Sequence, residues 1–201
     1  MRAIDLIMEN PSIYRLWQSP YAELKFAPII AHNDLSRVRR VLDVACGPGT
    51  NTHHFANADY LGIDLNEGCI EYARRHYKRN FLLADVTKYR VAPGERFDFI
   101  LLNSFIHHVD TPNTVRILEH LRTLLTHDGH VHILDHVLPE HPSFARFLAR
   151  IDRGKYPRPM KEWLEMVTGV FETVVLEPYR LTALGATLWN QVYFKGKVKP
   201  G

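Results

Sequence analysis

The chain has 201 residues, 46 % apolar and 23 % charged, which suits one soluble domain with a sizeable core and leaves little room for two. Its 25 Lys and Arg against 22 Asp and Glu give a net charge of +3, too mild for the basic stripe that nucleic-acid binding requires. No run approaches the roughly 18 apolar residues that span a bilayer, so no membrane partner is expected.

Residues 1–35 carry Tyr14, Trp17, Tyr21 and Phe26 and read as an amphipathic cap. From residue 40 onward short β-rich runs alternate with helical stretches. The run 41–45 is apolar and ends at Gly47-Pro48-Gly49. Residues 60–64 form the next strand, and Asn66 caps a helix with Ile70, Ala73 and Tyr77 on one face. Residues 81–85 and 97–103 read as the third and fourth strands. Thr111-Pro112 reads as a hydroxyl cap with Pro at the first helical position, and Leu118, Leu121 and Leu125 recur at helical spacing. Asp128-Gly129 is expected to stop that helix, with Gly in the left-handed conformation. Residues 130–135 form a fifth strand. Phe144, Phe147, Leu148 and Ile151 mark one further helix, and Trp163, Met166 and Val167 another. Two closing strands, 171–177 and 187–194, are joined by a loop containing Pro and Gly.

This alternation predicts a doubly wound, Rossmann-like α/β fold. It has seven strands, mostly parallel with an antiparallel last strand, helices on both faces and a short N-terminal helical cap. One domain is expected over 1–201, divided into a cap (1–35), a cofactor-binding core (36–136) and substrate-side helices with closing strands (137–201). Ligands of such sheets sit beyond the carboxyl ends of the strands. There the chain places Gly47 and Gly49, Asp64, Asp85, Asn103 and Asp135.

A Gly-x-Gly turn lets backbone approach a ligand, because no Cβ stands in the way. The neighbours make it specific. VLDVACGPGT (41–50) resembles the nucleotide-binding signature of class I S-adenosylmethionine-dependent methyltransferases. YLGIDLN (60–66), LLADV (82–86), FDFILLNSFIHHV (97–109) and HDGHVHILD (127–135) resemble the family's later motifs, in order. The resemblance covers about residues 40–136. It implies a methyltransferase using S-adenosyl-L-methionine, releasing S-adenosyl-L-homocysteine, with a small-molecule acceptor. The implied cofactor contacts are Asp43, Ala45, Cys46, Gly47, Gly49, Asp64, Leu65, Asp85, Val86, Asn103 and Ser104, with Tyr14 from the cap. Asp64 suits a ribose, whose vicinal hydroxyls both donate to a carboxylate. Asp85 can accept from the adenine amino group, and Leu65 and Val86 would sandwich the ring. Each residue also has a plainer reading, as a turn or cap Asp or as core.

A dinucleotide site would need a third Gly where Thr52 stands, and positive surroundings for a pyrophosphate. The stretch from Asp43 to Tyr72 holds no Lys or Arg. An acidic neighbourhood suits a sulfonium better.

Asn103-Ser104-Phe105-Ile106 departs from the D/N-P-P-Y/F segment of the DNA- and amide-methylating members. His107-His108 is similar to the His pair of the small-molecule branch. His107 is the candidate general base, oriented by Asp135, with His108 as substitute. Alternatively both histidines only pack or cap the loop. Tyr14, Trp17 and Tyr21 read as a possible aromatic lid, and Arg153, Lys155 and Arg158 as a basic loop. No metal site is expected. A non-catalytic S-adenosylmethionine-binding protein on the same fold is the alternative; an RNA or protein methyltransferase would need a basic face or an extra domain. Cys46 and Cys69 read as free thiols of a reducing compartment, and residues 1–6 carry no signal-peptide pattern, so a cytoplasmic monomer or homodimer is expected. The acceptor and the atom methylated are not encoded in any motif.

Overall fold

The structure, a computed structural model, describes residues 11–92, 94–151, 154–183 and 185–199, with residues 11–20 and 151 as backbone alone. Helix α1 (Pro11–His32) precedes β1 (Arg40–Val44), β2 (Asp59–Asp64), α2 (Glu67–His76), β3 (Asn80–Leu83) and β4 (Phe97–Asn103). There follow α3 (Thr111–Leu124), β5 (Leu125–His136), α4 (Phe144–Ile151), α5 (Met160–Val170), β6 (Phe171–Ala183) and β7 (Ala186–Val198). The strand order is β3-β2-β1-β4-β5-β7-β6. β7 runs antiparallel to both neighbours and the other six strands are parallel.

The central strands are buried on both faces, which is why β1 and β4 read as nearly continuous apolar runs. One face packs Leu118 and Leu121 of α3 and Trp163 and Val167 of α5 against Ile100, Leu102 and Ile133. The other packs Phe26 and Ile29 of α1 and Ile70 and Ala73 of α2 against Val41, Leu101 and Leu134. Burial of an aromatic or branched aliphatic side chain is worth about 1.5–3 kcal/mol, so α1 is bound to the sheet rather than draped on it. Tyr179 donates to Lys25 O at 2.8 Å, and Tyr21 meets Trp189 edge-on, tying the helix to the β6–β7 hairpin. The side chains of Tyr14 and Trp17 lie outside the described residues.

Several boundaries differ from the sequence reading. The cap of α3 is Asp110, whose carboxylate accepts from Asn113 N at 2.9 Å, so Thr111 and Pro112 are the first two helical residues. An ionised cap also offsets the positive end of the helix dipole, which a hydroxyl cannot. The helix ends at Leu124, and Asp128-Gly129 lies within β5. Gly129 is not left-handed there; a Cβ would sit 2.8 Å from Phe97 O. β6 and β7 extend almost to their shared turn, so Pro178 falls inside a strand. It is tolerated because β6 is the sheet edge, where one side needs no N–H partner. The glycine loop runs into a 3₁₀ turn (Thr52–Phe55) rather than an α-helix.

His132 is buried in this core. It stacks on Phe99 with centroids 3.7 Å apart, and its Nδ1 lies 3.0 Å from Tyr193 Oη. Tyr193 Oη also accepts from Asn33 Nδ2 at 2.9 Å, so the ring belongs to a buried polar chain. Burial holds His132 well below the usual histidine range, and burial with its neighbour His53 pushes His54 down to about 4. The unfolded chain therefore binds more protons than the native one below about pH 6.5, and stability falls as pH falls. His132→Gln is expected to flatten the acid side of the melting-temperature profile between pH 6.5 and 4.5, by thermal denaturation at several pH values.

Candidate functional site

From β1 the chain crosses to β2 on one side, and from β4 to β5 on the other. The carboxyl ends of β1 and β4 therefore diverge into a crevice, the topological switch point of the sheet. A cavity of about 360 Å³ lies there, walled by the β1 and β4 ends and by Ala22, Glu23 and Lys25 of α1. Ala45 and Ser104, which follow the two strands, are both left-handed (φ 55° and 56°), as are Gly47 and Gly49. Such a conformation costs a non-glycine residue about 1–2 kcal/mol and persists where surrounding bonds enforce it. Here Ser104 N donates to Leu134 O at 2.7 Å, and Cys46 N to Ile63 O at 3.1 Å. The glycine turn is crowded as well as strained: a Cβ on Gly49 would come within 3.0 Å of the Phe81 ring.

The loop is held from below by carboxylates. Asp64 accepts from Gly47 N and from Asn66 N, each at 2.8 Å, and remains half-exposed with lone pairs to spare. Asp43 is fully buried and accepts from Tyr60 Oη at 2.6 Å and Asn51 Nδ2 at 3.1 Å. Asn103 Nδ2 donates to Asn51 Oδ1 at 3.2 Å, so the ends of β1 and β4 share one polar chain. The other oxygen of Asp43 has no hydrogen-bond partner among the described residues. Burial pushes the Asp43 carboxyl up to about 6, against the bonds from Tyr60 and Asn51 that pull it down. At Asp85, by contrast, the hydroxyl and N–H of Thr87 hold the carboxyl below the usual range.

Of the residues expected at the cofactor, Ala45, Cys46, Gly47, Asn103 and Ser104 line the cavity. Asp64, Leu65, Asp85 and Val86 follow β2 and β3, beside it along the same sheet edge. Leu65 is 73 % exposed, whereas Val86 packs in the core. Cys46 is buried, which pushes its thiol far above the ordinary range and leaves it a packing role. Tyr14 and Arg153 belong to the undescribed side chains.

His107 and Asp135 meet, Nδ1 to carboxylate oxygen at 2.5 Å, in a buried pair away from the cavity lining. Burial raises the Asp135 carboxyl, but the bond and charge of His107, with help from His136, outweigh it and hold the group low. A Cβ on Gly154 would collide with the His107 ring, and Tyr156 N donates to His107 O at 3.0 Å. Arg158, read as part of a basic loop, is buried and donates to the carbonyls of Ile106, Val109 and Tyr156. The segment before α5 thus closes over the His107 loop. His108 is exposed.

Lys25, Glu23, Asn51 and His53 also line the cavity, and sequence reasoning did not single them out. Lys25 Nζ donates to Ser104 Oγ at 2.8 Å, and Glu23 pairs with His53 at 3.0 Å. For Lys25 a signal existed: it falls between Ala22, Phe26 and Ile29 on the inward stripe of α1, where a charge needs a partner.

A methyltransferase domain model matches residues 41–129. Trans-aconitate 2-methyltransferase of Delftia acidovorans is 27 % identical over 92 % of this chain and 73 % of its own length. Residues 41–129 are thus a methyltransferase domain of the class I S-adenosylmethionine-dependent type. The ubiquinone biosynthesis O-methyltransferase of Candida albicans is 33 % identical over 42 % of this chain and 28 % of its own. A SAM-dependent methyltransferase of Methanosarcina mazei superposes with TM-score 0.69 at 19 % identity, covering 85 % of this chain and 98 % of that one. The N-methyltransferase NodS of Bradyrhizobium japonicum, solved with S-adenosyl-L-homocysteine, superposes with TM-score 0.62 at 14 % identity, over 92 % and 87 %. The methyltransferase is thus an enzyme whose methyl donor is S-adenosylmethionine, and the residues fit that donor. The turn is left-handed, and carboxylates rather than cations follow β2 and β3.

Because the folded pKa of Asp43 lies above the ordinary carboxylate value, its contribution to stability is fullest below about pH 4 and is lost as pH rises through 6. Two pH units correspond to about 3 kcal/mol. Asp43→Asn in the donor-free methyltransferase is expected to raise the midpoint of urea unfolding at pH 7.5 relative to wild type and to leave it little changed at pH 4.

Proposed function

We propose that this methyltransferase acts on a small-molecule acceptor, with the donor's amino-acid end in the cavity and its adenosine along the ends of β2 and β3. The observation that carries this reading is the pairing, inside one small cavity, of Lys25 and Glu23 with a left-handed backbone turn. The methionine moiety of the donor is a zwitterion. Lys25 suits its carboxylate; Glu23 and the buried Asp43 below suit its ammonium. In this reading Asp64 accepts from the ribose hydroxyls, Asp85 from the adenine amino group, and the exposed Leu65 and buried Val86 flank the ring. The relatives named for trans-aconitate and for ubiquinone biosynthesis support an acceptor of small-molecule size.

When bound, the donor supplies a sulfonium-activated methyl group that transfers by in-line displacement. The protein's part is then alignment and exclusion of water. Asn103 and Ser104 present the end of β4 to the reacting centre. The His107–Asp135 pair lies behind them, so we assign it to positioning: it holds the loop after β4 against the segment 154–158.

Two measurements test this. Lys25→Met is expected to weaken S-adenosylhomocysteine binding roughly tenfold or more by calorimetry, the loss of one charge-assisted bond. Absence of any heat with wild type would remove the donor reading altogether. His107→Ala is expected to lower turnover by about tenfold or more while leaving the pH at which activity rises unchanged, and His107→Asn to recover part of it. If His107→Ala or His108→Ala instead abolishes the ascending limb of the pH profile, that histidine is a general base.

A further inference from the structure

A group of ligating side chains stands where α1 meets the glycine loop. We infer that Glu23, His53 and His54 bind a divalent transition-metal ion of the Zn²⁺ type, and that the bound ion opposes the methyl donor. The metal site stands on its own geometry; its effect on the donor rests on the reading that Glu23 receives the donor's ammonium.

Glu23 lies on α1, and His53 and His54 are consecutive in the 3₁₀ turn (Thr52–Phe55) that follows the glycine loop. The sequence reading expects no metal site; docking of α1 is what brings Glu23 to His53, 30 residues away along the chain. One oxygen, Glu23 Oε1, is 3.0 Å from His53 Nε2 and 3.9 Å from His54 Nε2. One ligand atom from each of the three residues lies within 4.8 Å of the other two. Tetrahedral ligands at zinc distances of about 2.0–2.2 Å stand about 3.4 Å from one another, so the two measured separations bracket the spacing that an ion requires. Two imidazoles and one carboxylate suit Zn²⁺ and its neighbours rather than Mg²⁺ or Ca²⁺, which take oxygen ligands.

Two further observations point to a cation. His53 faces an acceptor with each ring nitrogen: Nδ1 is 2.9 Å from Thr50 O, and Nε2 is 3.0 Å from Glu23 Oε1. A carbonyl can only accept, so Thr50 O takes Nδ1–H, and a neutral ring then turns its Nε2 lone pair toward the carboxylate. A positive charge belongs between two such lone pairs, and a ring N–H bonded to a backbone carbonyl is the usual support of a metal-bound histidine. The second observation is His54. Its side chain is only 8 % exposed, its ring stacks on the buried Phe26 with centroids 3.8 Å apart, and it makes no side-chain hydrogen bond among the described residues. A proton shared by His53 and Glu23 accounts for the first observation but not for a second imidazole nitrogen held beside the same oxygen. The His53 ring leans on His54 with centroids 3.9 Å apart, so binding has little side-chain freedom left to freeze. Glu23 and His53 are exposed, which leaves a path from solvent and a position for water on the ion. The other such cluster among the described residues, His107, Asp135 and His136, is buried throughout, and its His107–Asp135 pair is already bonded.

Glu23 and His53 also line the donor cavity. A bound ion takes Glu23 from the donor's ammonium and places two positive charges beside a cationic ligand, while fastening α1 to the glycine turn. Ion and donor therefore contend for one carboxylate, and by linkage each weakens the other by the same factor.

The test uses the full chain, stripped of metal by dialysis against a chelator. Zn²⁺ is expected to bind at one ion per chain, at about 10 μM or tighter by calorimetry, and Mg²⁺ not to bind. His53→Gln and His54→Phe, the second keeping the ring stack, should each weaken Zn²⁺ at least about tenfold. Saturating Zn²⁺ should weaken S-adenosylhomocysteine at least about fivefold in wild type and not in His54→Phe. The inference is overturned if wild type binds no Zn²⁺ in that range, if Mg²⁺ binds as well, if both variants bind Zn²⁺ as wild type does, or if Zn²⁺ leaves S-adenosylhomocysteine affinity unchanged or raises it. Failure of the metal-free wild type to bind S-adenosylhomocysteine would instead sink the donor reading, and the metal site would then stand or fall on the two variants.

Discussion

The site depends on one buried carboxylate and the polar chain above it. Asp43 sits at the end of β1 with no exposure, accepts from Tyr60 and Asn51, and through Asn51 reaches Asn103 at the end of β4. That chain joins the two strands just beyond their last ladder pair, Val44 opposite Leu102, beside the left-handed turns at Ala45 and Ser104. Keeping a carboxylate buried is expensive, which is why its pKa is high in the donor-free protein. In the proposed reading that carboxylate lies beneath the ammonium of the methyl donor.

Charge is distributed along the sheet edge in a consistent way. Acids follow β2 and β3, where adenosine is expected. One lysine and one glutamate share the central cavity. Cations gather at the β5–β6–β7 corner, where Arg180 and Arg146 stand. Between them lies the His107–Asp135 pair, gripped by the segment 154–158 through Arg158 and the close approach of Gly154.

Much of the fold was legible because its signals are local. β1 to β5 and α2 were readable from short apolar runs, an Asn cap and glycine punctuation, each involving residues within a few positions of one another. The misreadings came where long-range terms overrode local ones. Gly129 looked like a helix stop but is a packing requirement against Phe97 O. Pro178 looked like a loop residue but sits in an edge strand, which only the sheet order explains. Arg158 read as one cation of a basic loop but is buried, because backbone carbonyls far away in sequence satisfy its donors.

The amino-acid sequence by itself carried the family resemblance and the candidate donor contacts. The glycine turn, Asp64, Asp85 and Asn103 each stand at the end of the strand that carries them, so spacing along the chain is enough to place them. Tertiary structure alone decided which distant residues join them: Lys25 from α1, and the burial of His107 against Asp135 beneath the segment 154–158. These depend on how a helix docks and on the register of neighbouring strands. A shift of one residue in either would turn the same side chains to the opposite face, and the apolar pattern along the chain does not by itself reveal which neighbours that register will bring together.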